Sequence, residues 1–163
     1  MAKTPTQTIS GSASKELVDR VQAVATIEDR TPSQVVVSAV DLYTRQCSIN
    51  VSARDLAVMG ATLAFGGRNP LTKKQVVEQK IVAPLLAIMA SAGMYDDSGK
   101  WLFHTGLPTK SGVGGGLVAV SPGKLGIGTF SPPLDPAGNS VRGQRAITDI
   151  VSDLNLNPYA QFG

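Results

Sequence analysis

Lys110-Ser111-Gly112-Val113-Gly114-Gly115-Gly116 sets a cation and a hydroxyl at the entrance to a run of glycines. Glycines there let a substrate approach the backbone closely, and the Val113 N–H is left to meet an oxyanion developing on a carbonyl under attack. That is acyl-transfer chemistry, and it needs a nucleophile. Ser12-Ala13-Ser14-Lys15 offers a serine three positions before a lysine, but Ser121-Pro122-Gly123-Lys124 fits the same pattern inside an evident hairpin turn. The pattern alone therefore selects nothing. Glu16, Asp19 and Arg20 follow Lys15 directly, and burying them in a helix at the centre of a fold would cost on the order of several kcal/mol each. Ser12 and Lys15 are accordingly not expected to be the catalytic pair. His104 is the single histidine, with no carboxylate or cysteine at metal spacing, and reads as structural. Cys47 lies among apolar residues and reads as core. No phosphate loop, dinucleotide fingerprint or metal site is legible, and no cofactor is expected.

The elements that must position these residues follow from caps and periodicity. Thr8 to Ala13 reads as a short extended segment. Ser14 caps a helix with Leu17, Val21 and Val24 on one side, and Thr31-Pro32 opens a second with Val35, Val36, Ala39 and Leu42. Ser52-Ala53-Arg54-Asp55 is a capping box opening a helix that runs through Ala64 and stops at Gly66-Gly67. Thr72 with Gln75 predicts a further helix start, with Pro84 kinking or restarting the helix before Gly93. Lys100–His104, Gly116–Val120 and Leu125–Phe130 predict three antiparallel strands, with alternating Trp101 and Phe103 in the first. Ser121–Lys124 turns the last hairpin. Asn139–Leu154 predicts a closing helix. The fold class is α+β, with strands too few to close a sheet on their own.

Several blocks, in this order and spacing, resemble one family. Tyr43-Thr44-Arg45-Gln46-Cys47-Ser48 comes first, then Asp55 to Ala64 and Gly66-Gly67-Arg68-Asn69-Pro70-Leu71-Thr72. Gly93-Met94-Tyr95-Asp96-Asp97-Ser98-Gly99 and Gly106-Leu107-Pro108-Thr109-Lys110-Ser111-Gly112 follow. Phe130-Ser131-Pro132-Pro133-Leu134-Asp135 and Gly138-Asn139-Ser140-Val141-Arg142-Gly143 close the series. Over about residues 41–156 the chain resembles the serine-dependent glutaminases, with small departures at Phe65, Ala92 and Thr109. The resemblance implies the C-terminal portion of a β-lactamase-like fold, in which Lys-Ser/Thr-Gly lines one wall of the site. It implies L-glutamine as substrate and no cofactor. It makes Tyr43 and Tyr95 substrate-binding residues, gives the Val113 N–H a place in the oxyanion hole, and puts Lys110, Ser111 and Gly112 on the pocket wall. The family's Ser-x-x-Lys half, with its Asn and Glu substrate contacts, has no counterpart in the roughly 30 residues between Ser12 and Tyr43. The chain alone is therefore expected to be inactive.

Residues 6–43 resemble a ribbon-helix-helix module, which implies dimerisation and a two-stranded ribbon in the DNA major groove with Thr8, Ser10 and Ser12 facing the bases. Residues 1–50 hold five Lys/Arg against five Asp/Glu, so phosphate attraction is weak and any DNA contact is expected to be weak too. The two resemblances meet at Asp41-Leu42-Tyr43, as in a fusion of a segment 1–43 to a partial glutaminase domain 44–163. The full net charge of +3 arises in the second part, too little to argue for nucleic acid or membrane. One cysteine, a polar Thr/Ser-rich N-terminus and an apolar run of only Ile81–Met89 predict a cytoplasmic protein without a membrane span, and an unpaired strand edge predicts pairing with itself, as a homo-oligomer, or with an intact glutaminase.

Overall fold

The computed structural model describes residues 14–47 and 49–160, with Gln46 and Cys47 described by their backbone alone. The chain divides into two compact units, Met1–Asn50 and Val51–Gly163. In the first, α1 (Lys15–Ile27) and α2 (Pro32–Cys47) form a helical hairpin. Ser14 Oγ accepts the Leu17 N–H, and Thr31 and Gln34 exchange backbone-to-side-chain bonds, so both expected caps are present. Helix α2 runs through Tyr43 without a break, four residues past the expected junction. The extended segment expected over Thr8–Ala13 lies outside the described residues.

The second unit is α+β. Helix α3 (Ala53–Ala64) opens with the capping box expected from Ser52 and Asp55 and ends at Gly66 and Gly67, both with positive φ. Helix α4 (Gln79–Ala92) is followed by a 3-10 turn at Tyr95–Asp97, α5 (Ser98–Thr105), strands β1 (Thr109–Gly112), β2 (Gly116–Ser121) and β3 (Leu125–Phe130), and α6 (Val141–Asp153). The strands form one antiparallel meander, β1-β2-β3, with Ser111 opposite Leu117 and Leu117 opposite Thr129.

Two elements differ from the sequence reading. Lys100–His104 is helical and belongs to α5, and the first strand is Thr109–Gly112. A short apolar run suits either period, and burial decides: Trp101 and Thr105, one helical turn apart, are both buried, and Gly106 closes the helix in the left-handed conformation. Thr72 and Gln75 do not open a helix, which begins at Gln79 instead. Asn69 Oδ1 accepts the Leu71 and Thr72 N–H groups, and Gln75 Nε2 donates to Gly66 O and Val77 O. These local bonds hold the segment in turns. Pro84 sits inside α4 without ending it.

Strand alternation sorts the core into two layers. Leu117, Ala119 and Ile127 face α5 and α6, where they pack with Met94, Trp101, Leu107, Ile147, Val151 and Leu156. On the other face Val120 packs with Ala64 and Met89 from α3 and α4. Gly126 and Gly128 let α3 rest directly on β3, since a Cβ at either would fall 2.0 Å from Ala61 N or 2.3 Å from Ala57 N. Strands β2 and β3 are thus covered on both faces, while β1 keeps Lys110 and Gly112 exposed on one of its faces.

Candidate active-site wall

The site grows from the junction between α4 and β1. Gly93 ends α4 so close to the strand that a Cβ there would lie 1.8 Å from Thr109 O, and its carbonyl accepts the Ser111 N–H at 2.9 Å. The chain then turns sharply and places Tyr95 at φ 53°, a left-handed conformation that costs a bulky residue on the order of 1 kcal/mol or more. Its surroundings hold it there. The Met94 N–H donates to Ser98 Oγ (3.0 Å), Ser98 Oγ donates to Tyr95 O (2.7 Å), and Asn139 Nδ2 donates to Met94 O (3.2 Å).

So fixed, the Tyr95 hydroxyl donates to Ser111 O at 3.4 Å. Lys110 Nζ stands 5.0 Å from the centre of the Tyr95 ring and also donates to Ser111 O. Desolvation holds the Lys110 pKa below the usual lysine value. Beyond Gly112 the strand turns at residues 113–115, where the Gly115 N–H donates to Gly112 O. Gly115 is obligatory there: its φ is 97°, and a Cβ would fall 2.4 Å from Ser131 O. Val113 heads this turn with an exposed side chain, and its N–H donates to no backbone carbonyl among the described residues.

Gly138, at φ 94°, completes the wall: a Cβ there would lie 3.6 Å from Tyr95 Cε2 and 4.0 Å from Val113 Cγ1. Asp135 anchors that loop, accepting from the Asn139 N–H (2.9 Å) and from Gln144 Nε2 (2.7 Å). Desolvation opposes its charge, but the bonds from Asn139, Gln144, Ala137 and Gly138 outweigh it, and the Asp135 pKa is lowered. Asn139 is fully buried, and its Oδ1 has no hydrogen-bond partner among the described residues.

The structure brings Tyr95, Lys110 and Ser111 into contact, with Gly112 and Val113 next along the chain. One relationship differs: the Lys110 and Ser111 side chains do not stand side by side. Thr109 and Ser111 point into the core while Lys110 and Gly112 point out, and the Ser111 Oγ is enclosed with no described hydrogen-bond partner. Ser111 meets Tyr95 and Lys110 through its backbone carbonyl. Tyr43 belongs to the first unit, on α2, with an exposed side chain. Lys15 opens α1 with its whole first turn exposed, whereas Thr8, Ser10 and Ser12 lie outside the described residues. His104 is exposed on α5 with its ring edge-on to Phe103. Among the described residues no three His, Cys, Asp or Glu side chains converge to hold a metal, and no helix is long and apolar enough to cross a membrane. Sequence reasoning gave no role to Ser98, Asp135 or Asn139. They lay within the quoted blocks, but buried polar residues that hold a backbone carry no periodicity to mark them.

The wall can be set beside known proteins. The family model described as Glutaminase matches residues 10–159, starting well upstream of about residue 41, where the sequence blocks began. Glutaminase 2 of Yersinia pestis is 60% identical over 121 residues, which are 74% of this chain and 36% of that protein. A glutaminase of Brucella canis is 56% identical over 125 residues, 77% of this chain and 39% of that protein. The chain thus spans less than two fifths of the length of these curated relatives. Among solved structures, the probable glutaminase ybaS superposes with a TM-score of 0.72 at 42% identity, covering 93% of this chain and 52% of the other. A crystal structure of Mglu in its glutamate form gives a TM-score of 0.70 at 36% identity, covering 91% and 33%. These neighbours share a β-lactamase-like fold, and the match of model, identity and fold across nearly the whole chain makes the protein a member of the glutaminase family.

Proposed function

We propose that this chain carries one wall of a glutamine-hydrolysing site and does not turn glutamine over by itself. The observation that carries the reading is the Val113 N–H, which donates to no backbone carbonyl among the described residues and lies two positions past the Ser111 carbonyl that Tyr95 and Lys110 share. In an intact relative, a serine attacks the γ-amide carbon of L-glutamine, and the developing oxyanion takes the Val113 N–H as one of its donors. Ammonia leaves, water attacks the glutamyl ester, and glutamate departs. Tyr95 and Tyr43 contact the substrate, and Lys110 braces the Tyr95 ring and the Ser111 carbonyl. What supports the absence of an attacking serine is the first turn of α1: from Lys15 on it is solvent-exposed and charged rather than enclosed. Removing the nucleophile from such a site costs many powers of ten in rate.

The direct test is amide-resolved NMR of the folded chain titrated with L-glutamate. Selective movement of the Val113 and Gly114 amide signals supports the pocket wall. Saturating glutamate with no shift at either amide ends it.

A second reading, a dimerising helical hairpin with weak DNA contact through residues 6–43, is favoured by one observation. Leu17, Val18, Ile27, Val37, Val40 and Leu42 are all more than half exposed, and Ala25 is the single buried apolar residue described in α1 and α2. A hairpin of that size does not bury enough to stand alone. Cytoplasmic location accompanies both readings. Salt-sensitive gel shift lost on Thr8→Ala with Ser10→Ala supports DNA contact, and no shift at low salt removes it.

A further inference from the structure

One cluster of charges takes no part in the wall. Asp97, Lys100, Trp101 and His104 line a groove of about 340 Å³ from the α5 side, and Gln144 and Arg145 line it from the α6 side. Positions 97, 100, 101 and 104 fall on one helical face, so Asp97 heads the groove and His104 stands roughly 10 Å further along. Acid and base face this cavity without pairing. None of Asp97, Lys100, His104 and Arg145 makes a side-chain hydrogen bond or ion pair among the described residues, although Asp97 and Lys100 are only three positions apart.

The order of these groups constrains what they can hold. A bare anion would meet the Asp97 carboxylate, and a bare cation would meet Lys100 and Arg145. A ligand with both charges on one carbon meets neither obstacle. Its ammonium takes Asp97, and its carboxylate takes Lys100 together with the two-pronged guanidinium of Arg145. The offset suits it, since Asp97 and Lys100 are separated by about 5 Å along the axis. Past these charges the cavity runs along the rings of Trp101 and His104, which offer aromatic surface to an uncharged side chain.

We propose that this groove binds a free α-amino acid with an apolar side chain, held as its zwitterion between α5 and α6. The site uses none of Tyr95, Lys110 and Val113, and it stands independently of the glutamine reading. Its occupancy nevertheless has a route to Tyr95. From the α5 side, the Asp97 N–H donates to Met94 O at 3.1 Å. From the α6 side, Gln144 Nε2 donates to Asp135 Oδ2, Asp135 Oδ1 accepts the Asn139 N–H, and Asn139 Nδ2 donates to the same Met94 carbonyl. Both sides of the groove thus converge on the residue before the left-handed Tyr95. A ligand that bridges Asp97 to Arg145 ties the two sides together and stiffens that turn.

Trp101 is the only tryptophan of the chain and lines the cavity, so its fluorescence reports the test. Titrating the full chain with L-leucine is expected to give a saturable change in emission. N-acetyl-L-leucine, which lacks the ammonium, and L-leucinamide, which lacks the carboxylate, are each expected to bind about tenfold more weakly or worse. Asp97→Asn and Arg145→Gln are expected to lose L-leucine affinity by a similar factor, with unchanged circular dichroism showing the fold intact. Amide exchange at Asp97 and Asn139 is expected to slow by about threefold or more with L-leucine bound. Gln144→Leu is expected to keep the Trp101 response and lose the slowing at Asn139. The proposal is overturned by the absence of a saturable change with L-leucine, or by acetylated or amidated leucine binding as well as the free amino acid. It is equally overturned by inorganic phosphate binding as tightly, which would make the groove a plain anion site, by variants that bind as the parent does, or by unchanged exchange at both amides.

Discussion

The carbonyl of Ser111 accepts the Tyr95 hydroxyl at 3.4 Å, while the Ser111 hydroxyl on the opposite side of the strand has no described partner. One residue thus faces the wall with its backbone and the core with its side chain. Ser111 itself is 2% exposed, so an unpartnered hydroxyl there costs free energy. Ser111→Ala keeps the carbonyl and removes the orphan. It is expected to be neutral or to stabilise by up to about 1 kcal/mol in urea denaturation, with glutamate-induced shifts at Val113 unchanged. A loss of more than about 1 kcal/mol would mean that the hydroxyl has a partner after all.

The fit of α3 on β3 makes two glycines irreplaceable and a third expendable. Gly126→Ala or Gly128→Ala drives a methyl into the α3 backbone and is expected to cost about 1–3 kcal/mol or more, by overpacking that no rotamer change relieves. Gly99 lies in α5 with nothing within 4 Å of a built Cβ. Gly99→Ala is expected to stabilise by up to about 1 kcal/mol through helix propensity. Thermal unfolding of the three variants compares them directly, and equal melting shifts would contradict the packing.

Acid sensitivity follows from Asp135. Its folded pKa is depressed, so it contributes stability that is present above its unfolded pKa of about 4. That contribution is lost as pH falls through the lower folded value. Asp55, lowered by its bonds with Ser52, acts in the same direction at the start of α3. Asp135→Asn is expected to flatten the decline in stability below about pH 5 and to leave its shape above pH 6 unaltered, as read from urea midpoints across that range. A variant with the same acid limb as the parent would remove Asp135 from this role.

What could be read in advance follows a physical division. Local chemistry was legible: the Ser52–Asp55 box, the Ser14 and Thr31 caps, the Ser121–Lys124 turn and strands β2 and β3 depend on neighbours in sequence. Lys100–His104 was misread because Trp101 and Phe103 alternate as a strand would, whereas its helical period shows only once Trp101 and Thr105 are buried together. The Thr72–Gln75 start failed because Asn69 and Gln75 spend their side chains on the turn backbone. At the site, the Lys110-Ser111-Gly112 run and the glycines after it singled out Lys110 and Val113, whereas Tyr95 came from the family resemblance alone. The bond from Asn139 to Met94 spans 45 positions, and no local pattern announces it.

The most direct trial of the whole account is ammonia release from L-glutamine by the purified, folded chain and by its Ser12→Ala variant. No release above the uncatalysed background is expected from either on the proposed reading, in which Val113, Tyr95 and Lys110 form one wall of a site whose nucleophile this chain does not supply. Steady turnover by the parent that disappears in Ser12→Ala would contradict the account, since Ser12 would then be the nucleophile and the chain a complete, shortened enzyme.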